Sequence, residues 1–472
     1  MAVARKIAYN VAFNSVVKVF STILALVGIG FITRYLGKEG FGDYAIVLAF
    51  FSFFTQLADL GLYSVTTREI SRIDADEKKI IGNIISLRVL SSLAVFLLAL
   101  VIIKFLPYPQ EVQKGILIAA AAFVFSSGYM VLNGIFQKNL VMYKVATVEF
   151  VGKIIQTGFI IMAVIMDWGF MAIIIALLIY MVFNFVIVFF LSRRYVKFSP
   201  EIDFSYWRKF LKESMPMGIS VFITFLYFKL DTIMLSVIKT NADVGIYSAA
   251  YKIIENITFF PAMIAGLVLP LISRHIFSNK DKFEDISNKT FKVFFLLVVP
   301  LIVGTMFLSE GVINLIGGAG FEESANVLRV LVFALAFIFF GHFFNNILLV
   351  GNLQKKLMVA LAFCAVFNIT ANLILIPRYS YAGAAITSVF TEMLVVSLTF
   401  YLVLKYLKYR PKIQHGVRIL FSGLVMAAFL FVFKDMNFFI LAFGSAGVYS
   451  LFLWLTKTIS SEEILSIVAR RT

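Results

Sequence analysis

Cysteine and histidine are scarce in this sequence, which holds one cysteine and three histidines among 472 residues. Cys364 lies within an apolar stretch, so the chain can form no internal disulfide and no cysteine-based metal site. The three histidines, His275, His342 and His415, are far apart in the chain and give no spacing typical of a metal site. We therefore expect no cofactor and no resident metal ion.

Charged residues are also few, at 14% of the chain against 61% hydrophobic residues, and the mean hydropathy is +0.95. Ordinary soluble domains do not have this composition. A membrane-spanning helix needs roughly 20 apolar residues. The sequence thus predicts an all-α, polytopic membrane protein with about fourteen transmembrane helices. The predicted spans are residues 9–34, 41–64, 81–104, 115–137, 146–167, 169–191, 213–238, 245–272, 289–309, 327–349, 357–376, 383–406, 415–434 and 436–456.

Acidic residues are fewer than basic ones, 26 against 42, which gives a net charge of +16. In a soluble protein this excess would suggest nucleic acid as a partner. Here 28 of the basic residues fall in loops on the side of the N-terminus, eight fall on the other side and six lie within spans. Because cytoplasmic loops are enriched in Lys and Arg, we expect a multi-pass protein of the cell (plasma or inner) membrane with both termini cytoplasmic. Topology explains the charge, so we expect no nucleic acid.

Long extramembrane loops are missing, so the chain has no room for a separate catalytic domain. We predict that it is not an enzyme. A membrane-embedded glycan polymerase or acyltransferase is the alternative, but it would be expected to have a larger outer loop or a catalytic His/Asp arrangement, and His342 alone gives little support.

The chain shows a weak internal repeat. A Gly-x-Tyr motif opens the second span at Gly42–Tyr44 and the eighth span at Gly245–Tyr247. The longest cytoplasmic loop, residues 192–214, follows the sixth span. Six spans per repeat would give both halves the same orientation in the membrane. We predict two six-helix lobes, residues 1–200 and 201–410, around a central cavity, with two additional helices and a cytoplasmic tail in residues 411–472.

Ionisable residues also fall within predicted spans, where charge is costly and usually faces a bundle interior or a watery cavity. For Arg88 and Glu149, which lie near span ends, the alternative is that the side chain snorkels to the interface. The candidates are Lys18, Asp59, Arg88, Glu149, Lys153, Lys229, Asp231, Lys252, Glu255 and Glu392.

Residues equidistant from the tip of a helical hairpin lie at the same depth, since each residue rises about 1.5 Å. This matching predicts one ion pair between Lys18 and Asp59 and another between Asp231 and Lys252; it also brings Lys229 level with Glu255. The alternative is that each charge is solvated separately in a wet cavity. We expect the carboxylates Asp59, Glu149, Asp231, Glu255 and Glu392 to form ion pairs or to bind a coupling ion.

The cationic residues within spans come from five helices in both halves of the chain. Lys18, Arg88, Lys153, Lys229 and Lys252 together would suit an anionic passenger, most simply a phosphate or pyrophosphate group. On the seventh span we expect Asp231 to brace the C-terminal lobe. We expect Lys229, on the other side of that helix, to face the cavity and meet phosphate. The alternative is that carboxylates neutralise all five cations.

Two stretches resemble a known family. "TRYLGKEGFGDYAIVLAFFSFFTQLADLGLYSVTTREIS", residues 33–71, resembles the N-terminal signature of the polysaccharide transporter family, the oligosaccharide-lipid flippases of the multidrug/oligosaccharidyl-lipid/polysaccharide exporter superfamily. "KLDTIMLS" with "VGIYSAAYKI", within residues 229–253, resembles the start of the family's second half. There Lys229 stands where the family commonly has arginine, which keeps the charge but loses a bidentate donor.

The resemblance implies two six-helix lobes that alternate between cytoplasm-facing and outward-facing states. It implies a passenger consisting of an oligosaccharide linked through phosphate or pyrophosphate to a polyprenyl lipid, flipped to the outer leaflet for cell-surface polysaccharide or glycan assembly. The partners would be this lipid, the bilayer, glycan-assembly enzymes and a coupling ion, Na⁺ or H⁺. Two alternatives in the same superfamily stay open: a peptidoglycan lipid-precursor flippase and a cation-coupled drug antiporter.

Overall fold

The computed structural model describes residues 2–59, 61–72, 75–413 and 415–458. These residues form fourteen α-helices, a short 3₁₀ turn (Ile103–Phe105) and a π-helical turn (Val403–Leu407), and no strand occurs among them. The all-α prediction is confirmed. The helices are α1 (Ala2–Asp59), α2 (Leu62–Ile70), α3 (Glu77–Ile102), α4 (Gln110–Lys138), α5 (Met142–Ile165), α6 (Gly169–Ser192), α7 (Phe204–Ile238), α8 (Asn241–Ile257), α9 (Phe259–His275), α10 (Lys280–Ile316), α11 (Glu322–Val350), α12 (Gln354–Leu402), α13 (Gly416–Val432) and α14 (Phe438–Leu455).

The predicted spans appear in these helices, although their number does not map one to one. Among the described residues, ten helical stretches are long and apolar enough to cross a membrane. Two of them, Phe13–Leu57 and Gln354–Leu407, are long enough for two spans each. The 35-residue α7 and the shorter α13 supply the other predicted crossings. The prediction of about fourteen spans in a polytopic bundle is confirmed.

Both of the double-length helices bend at one residue in the left-handed region of backbone conformation. The kink in α1 is at Gly37, with φ 63°, where the missing Cβ removes the steric penalty. The kink in α12 is at Ser380, with φ 50°, three residues after Pro377. Each kink falls between two predicted spans, so a single long helix contains the change of direction that the hydropathy pattern indicates.

The eighth predicted span is divided into α8 and α9. The break lies at Thr258, and Pro261 follows within the first turn of α9. Proline has no amide hydrogen to donate to the carbonyl four residues earlier, here Ile257. Two other prolines, Pro270 and Pro300, lie inside α9 and α10, which continue past them.

The chain packs into two compact units. The first comprises Met1–Ser248, Ile316–Gly320 and Asn372–Tyr381. Its apolar core joins α2 to α6 with the connection before α7, where Val196 and Phe198 are buried, and with the start of α7, where Trp207 and Phe210 are buried. At the start of α7 the Asp203 carboxylate accepts a hydrogen bond of 3.0 Å from the backbone amide of Tyr206, which caps the helix. The predicted loop, residues 192–214, is therefore part of the first unit, and α7 begins within it at Phe204.

The second unit comprises Ala249–Leu315, Phe321–Ala371 and Ala382–Thr472. In it α13 and α14 pack against α10, and the hydroxyl of Tyr449 donates to the carbonyl of Leu296 at 3.0 Å. The predicted lobes, residues 1–200 and 201–410 with two further helices, stay a prediction. Within the predicted C-terminal tail, residues 459–472 lie outside the described part of the chain.

Candidate functional site

Asp59 and Arg88 form a buried ion pair in the first unit. Asp59 ends α1, and Arg88 lies in α3 with 1% of its surface exposed. One guanidinium nitrogen of Arg88 donates to a carboxylate oxygen of Asp59. Arg88 therefore does not snorkel to the interface. The sequence-based prediction paired Asp59 with Lys18, and the structure instead gives it Arg88. The depth matching was applied to spans one and two, whereas Asp59 meets the next span, which lies on α3 and packs against α1.

A second carboxylate, Asp231, is buried where α7 meets the start of α8. It is 1% exposed and accepts a hydrogen bond from the hydroxyl of Tyr247, which is fully buried. Tyr247 is the tyrosine of the second Gly-x-Tyr motif. The sequence did not predict Tyr247 as a partner of Asp231, although the repeated Gly-x-Tyr motif marked this tyrosine as a residue of interest. The predicted role of Asp231 in bracing the C-terminal lobe stays a prediction. The predicted pair of Asp231 with Lys252 stays a prediction.

Glu149 and Lys153 lie one turn apart on α5, among aromatic and amide side chains. The buried hydroxyl of Tyr129 donates a hydrogen bond to Glu149. The ammonium group of Lys153 donates to the amide oxygen of Gln156 at 2.9 Å and lies 5.6 Å from the ring centroid of Tyr180. A phenol and a carboxylate can share a proton, while a half-buried ammonium over an aromatic ring can bind an anion or a sugar hydroxyl.

The remaining candidates are spread over other helices. Lys252 bonds Glu255 of its own helix at 2.9 Å, and both side chains are partly exposed. Lys18 is exposed and Lys229 is half-buried. Glu392 is 6% exposed on the second half of α12. The structure thus brings Asp59 to Arg88 and places Glu149 beside Lys153, while a common phosphate site made by all five cations stays a prediction.

Polar groups surround the helical turn that carries Glu392. The preceding residue, Thr391, accepts a hydrogen bond of 3.0 Å from Asn368, and both side chains are buried. The hydroxyl of Thr387, one turn before Thr391, is fully buried and has no hydrogen-bond partner within the described part of the chain. This segment therefore places hydroxyl and amide groups close in sequence to a buried carboxylate.

The turns at one end of the first unit are joined by hydrogen bonds to backbone carbonyls. The hydroxyl of Thr33 and the guanidinium of Arg34 both donate to the carbonyl of Ile316, at 2.8 Å and 3.4 Å. The ammonium group of Lys239 donates to the carbonyl of Pro377 at 2.9 Å. Arg34 belongs to the Arg-Tyr-Leu-Gly run of the N-terminal signature, so part of that signature is explained by contacts between turns.

The same end contains the glycines of both Gly-x-Tyr motifs. The backbone of Gly42 lies against the carbonyl group of Asn241, and the backbone of Gly245 lies against the carbonyl group of Lys38. The amide of Asn241 also donates to the carboxylate of Asp43 at 2.6 Å. The internal repeat noticed in the sequence is therefore a pair of segments in contact.

The long apolar helices define a multi-pass membrane protein, and two family models assign it to the multidrug/oligosaccharidyl-lipid/polysaccharide exporter superfamily. Residues 7–276 match the family model described as "Polysaccharide biosynthesis protein". This match covers more than half of the chain, which therefore belongs to that family. Residues 216–374 also match the model named MatE.

Individual proteins agree with this assignment. The protein named "Putative O-antigen transporter" from Shigella flexneri is 26% identical over 400 residues, which are 79% of this chain and 93% of that protein. The solved structure of the lipid II flippase MurJ in an inward closed conformation has a TM-score of 0.76 and 18% identity, covering 93% of this chain and 97% of that one. An inward-facing multidrug resistance MATE family transporter has a TM-score of 0.64 and 16% identity, covering 84% and 98%. Both solved structures have the same fold as this chain.

Proposed function

We propose that this protein is an alternating-access flippase. It moves an oligosaccharide linked through phosphate or pyrophosphate to a polyprenyl lipid from the cytoplasmic to the outer leaflet, for cell-surface polysaccharide or glycan assembly. The observation that carries the proposal is the family match over residues 7–276, supported by the similarity of 79% of the chain to the Shigella flexneri relative. The location is the cell membrane with both termini cytoplasmic, as the distribution of basic loops predicts.

The surroundings of the five candidate cations indicate which part of the substrate each would bind. A buried cation that is paired with a carboxylate is already neutralised and attracts an anionic ligand only weakly. Arg88 would therefore connect α3 to α1 rather than be the main substrate-binding residue. Lys18 and Lys229 are more accessible and would meet the phosphate group. Lys153, with Gln156 and the ring of Tyr180, offers the cation, amide and aromatic face that suit a sugar. Lys252 would contribute through its pair with Glu255.

A coupling ion would be bound at buried carboxylates. Glu149 with the phenol of Tyr129 suits a proton. Glu392, in the same helical segment as Thr391 and the fully buried hydroxyl of Thr387, would supply an oxygen ligand of the kind that Na⁺ accepts. In proteoliposomes with imposed gradients, Glu392→Gln abolishes stimulation by Na⁺ if Na⁺ is the coupling ion, whereas Glu149→Gln abolishes stimulation by a pH gradient if a proton is. If both variants are still stimulated by Na⁺ and by a pH gradient, both assignments are wrong.

The experiment that tests the function is a flipping assay with purified protein in liposomes containing a fluorescent polyprenyl-pyrophosphate oligosaccharide. Transport is measured as exposure of the glycan to an impermeant glycosidase on the opposite side. We expect Lys18→Ala and Lys229→Ala to reduce the rate by about tenfold each, the loss that one charge-assisted hydrogen bond to phosphate represents. The matched control is Lys289→Ala, whose ammonium group is exposed and pairs with Asp285. Release of free glycan, or a new covalent bond, would indicate an enzyme instead.

The alternative that a specific observation favours is a peptidoglycan lipid-precursor flippase, because the MurJ fold covers 93% of this chain. A drug antiporter is a further alternative on the strength of the MATE-like fold. The same liposomes, loaded with lipid II or with a cationic dye, distinguish the three. Faster flipping of lipid II than of other pyrophosphate-linked glycans would favour the first alternative, and dye export without lipid flipping would favour the second. Glycan-assembly enzymes are the proposed partners, testable by co-purification.

A further inference from the structure

Two segments of the second unit pack against each other at the end of α12. One is the connection from α11 into the start of α12, residues 351–357, and the other is the π-helical turn with its flanking residues, 401–412. A Cβ added to Gly351 would lie 3.0 Å from both terminal methyl carbons of Leu407. The distribution of basic loops predicts that both segments lie on the cytoplasmic side, next to the head groups of that leaflet.

These two segments carry six basic residues and no acidic residue. The basic residues, all exposed, are Lys355, Lys356, Lys405, Lys408, Arg410 and Lys412. Basic residues elsewhere on the same predicted side have acidic partners, as Lys289 has in Asp285 at 2.8 Å. Within the described part of the chain, neither Lys356 nor Lys405 pairs with a carboxylate. The two segments therefore form a patch of positive charge that the protein itself does not neutralise.

Two of these lysines lie over tyrosine rings. The Nζ atom of Lys356 is 4.2 Å from the ring centroid of Tyr406, and the Nζ atom of Lys405 is 5.6 Å from the same centroid. The Nζ atom of Lys405 is also 5.5 Å from the ring centroid of Tyr401. Contacts of this kind favour one position of each ammonium group. Because an aromatic ring has no net charge, the positive charge of both lysines stays available to an anion.

The π-helical turn at residues 403–407 brings these side chains together. Backbone hydrogen bonds in such a turn join residues five apart rather than four. Tyr401 and Tyr406, which are five apart, can therefore lie on the same side of the helix, and Lys405 contacts both rings. Turns of this kind are frequent at functional sites.

We propose that Lys356 and Lys405, held by the rings of Tyr406 and Tyr401, bind the phosphate head group of an anionic phospholipid in the cytoplasmic leaflet. We call these four residues the lysine–tyrosine site. Two ammonium groups that contact one ring can donate charge-assisted hydrogen bonds to the same phosphate. Basic pockets at the cytoplasmic ends of membrane helices suit such head groups.

The surroundings of the lysine–tyrosine site favour a lipid over a free phosphate ion. Val359 follows Lys356 by one helical turn and is 65% exposed, and Leu404 precedes Lys405 and is 41% exposed. Exposed apolar side chains beside a charged site suit the acyl chains of the same lipid. Binding to the site can be measured whether or not the protein is a flippase.

The test is a titration of the purified full-length protein in neutral detergent with phosphatidylglycerol, with the bound lipid counted by native mass spectrometry. We expect the protein to retain phosphatidylglycerol more strongly than phosphatidylcholine, and to retain it less as the salt concentration rises. Lys356→Gln and Lys405→Gln should each weaken the apparent affinity by about fivefold, the contribution of one lysine near an anionic surface. The matched control is Lys289→Gln, which removes an exposed ammonium group that already pairs with Asp285.

Tyr406 is tested as a positioning residue. Tyr406→Leu removes the shared ring without changing any charge, and it should weaken the binding of phosphatidylglycerol by about threefold. Tyr406→Phe keeps the ring and should bind like the native protein. Equal binding by the leucine and phenylalanine variants would contradict the role of the ring.

A second measurement locates the lipid without any variant. Phosphatidylglycerol with a photoreactive diazirine next to the head group should label peptides that contain residues 351–359 and 401–408, and unlabelled phosphatidylglycerol should compete. Labelling confined to other peptides would overturn the proposal, as would native affinity in both lysine variants. If a polyprenyl pyrophosphate labels these peptides and phosphatidylglycerol does not compete with it, the site binds the substrate's carrier and the assignment to a phospholipid is wrong.

Discussion

The hydroxyl of Tyr247 donates a hydrogen bond to the carboxylate of Asp231, and both side chains are buried. The tyrosine comes from the Gly-x-Tyr motif on α8, and the acid comes from α7, sixteen residues earlier. One motif therefore does two things: its glycine, Gly245, allows the close approach of the backbone at Lys38, and its tyrosine satisfies a carboxylate in an apolar surrounding. A buried carboxylate needs such a donor, because an unsatisfied one is costly.

Tyr247→Phe removes that donor and leaves the ring in place. We expect a loss of about 1–3 kcal/mol in unfolding free energy, the usual cost of leaving a buried polar group one hydrogen bond short. The measurement is thermal unfolding of the purified protein in detergent. Tyr379→Phe is the control, since Tyr379 is 58% exposed, and its melting temperature should equal that of the native protein. Equal melting temperatures for both variants would mean that the bond contributes nothing.

The Asp59–Arg88 pair predicts a strongly non-additive pair of substitutions. Asp59→Asn or Arg88→Gln alone leaves an uncompensated buried charge and should destabilise by about 3–5 kcal/mol. The double variant should recover part of that loss. A double-mutant cycle in thermal or denaturant unfolding measures the coupling. Simple addition of the two losses would contradict a direct pair.

The control for that cycle is an exposed pair. Arg68 bonds Glu213 at 2.8 Å, and its side chain is 55% exposed. Surface ion pairs contribute about 0–1 kcal/mol, so Arg68→Gln should change stability far less than Arg88→Gln does.

The cap of α7 predicts an acid-sensitive segment. The backbone amide of Tyr206 and the ammonium of Lys79 favour the charged form of Asp203 and lower the pKa of that carboxyl below its ordinary value. The contribution of the cap is therefore fully present above the unfolded pKa, about 3.9, and is lost as the pH falls through the lower folded pKa. Asp203→Asn keeps an oxygen acceptor but cannot titrate.

Limited proteolysis of the segment before α7, with a protease that stays active in acid, checks this prediction. Cleavage of the native protein should rise as the pH falls from about 4 toward the lowered pKa of the folded state, where the carboxyl takes up its proton. Asp203→Asn should show a flatter pH profile over the same range. With a second protease at neutral pH, Asp203→Ala should be cleaved faster than the native protein because its cap is missing. Identical acid profiles for the native protein and Asp203→Asn would refute the role of this charge.

Close packing of α13 predicts a steric effect within the second unit. A Cβ on Gly423 would lie 2.5 Å from a methyl carbon of Val299. Gly423→Val should therefore cost about 1–3 kcal/mol through overpacking, measured by thermal unfolding. Gly447→Val on α14 is the matched control, because its Cβ would meet no atom within 4 Å. Comparable losses in both variants would point to helix propensity rather than packing.

The membrane class, the approximate number of spans and the family resemblance could be predicted from the sequence. Apolar runs of spanning length have few alternatives, because every backbone polar group in a bilayer must be bonded internally. The places where the long helices turn were indicated by the gaps between predicted spans, which contain the kinks at Gly37 and Ser380. Candidate site residues could be identified for the same reason, since charge within an apolar run is costly wherever it lies.

The partners of those charges could not be predicted from the sequence. Depth matching offered Lys18 to Asp59, but depth does not say whether the preceding or the following span supplies the partner, and Arg88 reaches Asp59 from the following one. Likewise, the Gly-x-Tyr repeat was visible as a pattern, yet nothing in its spacing indicated that the two glycines touch. The sequence by itself determined that this chain spans a membrane and which residues are costly there. Only the tertiary structure decided which residues satisfy one another, because the position and rotation of each helix against its neighbours depend on how the whole bundle packs.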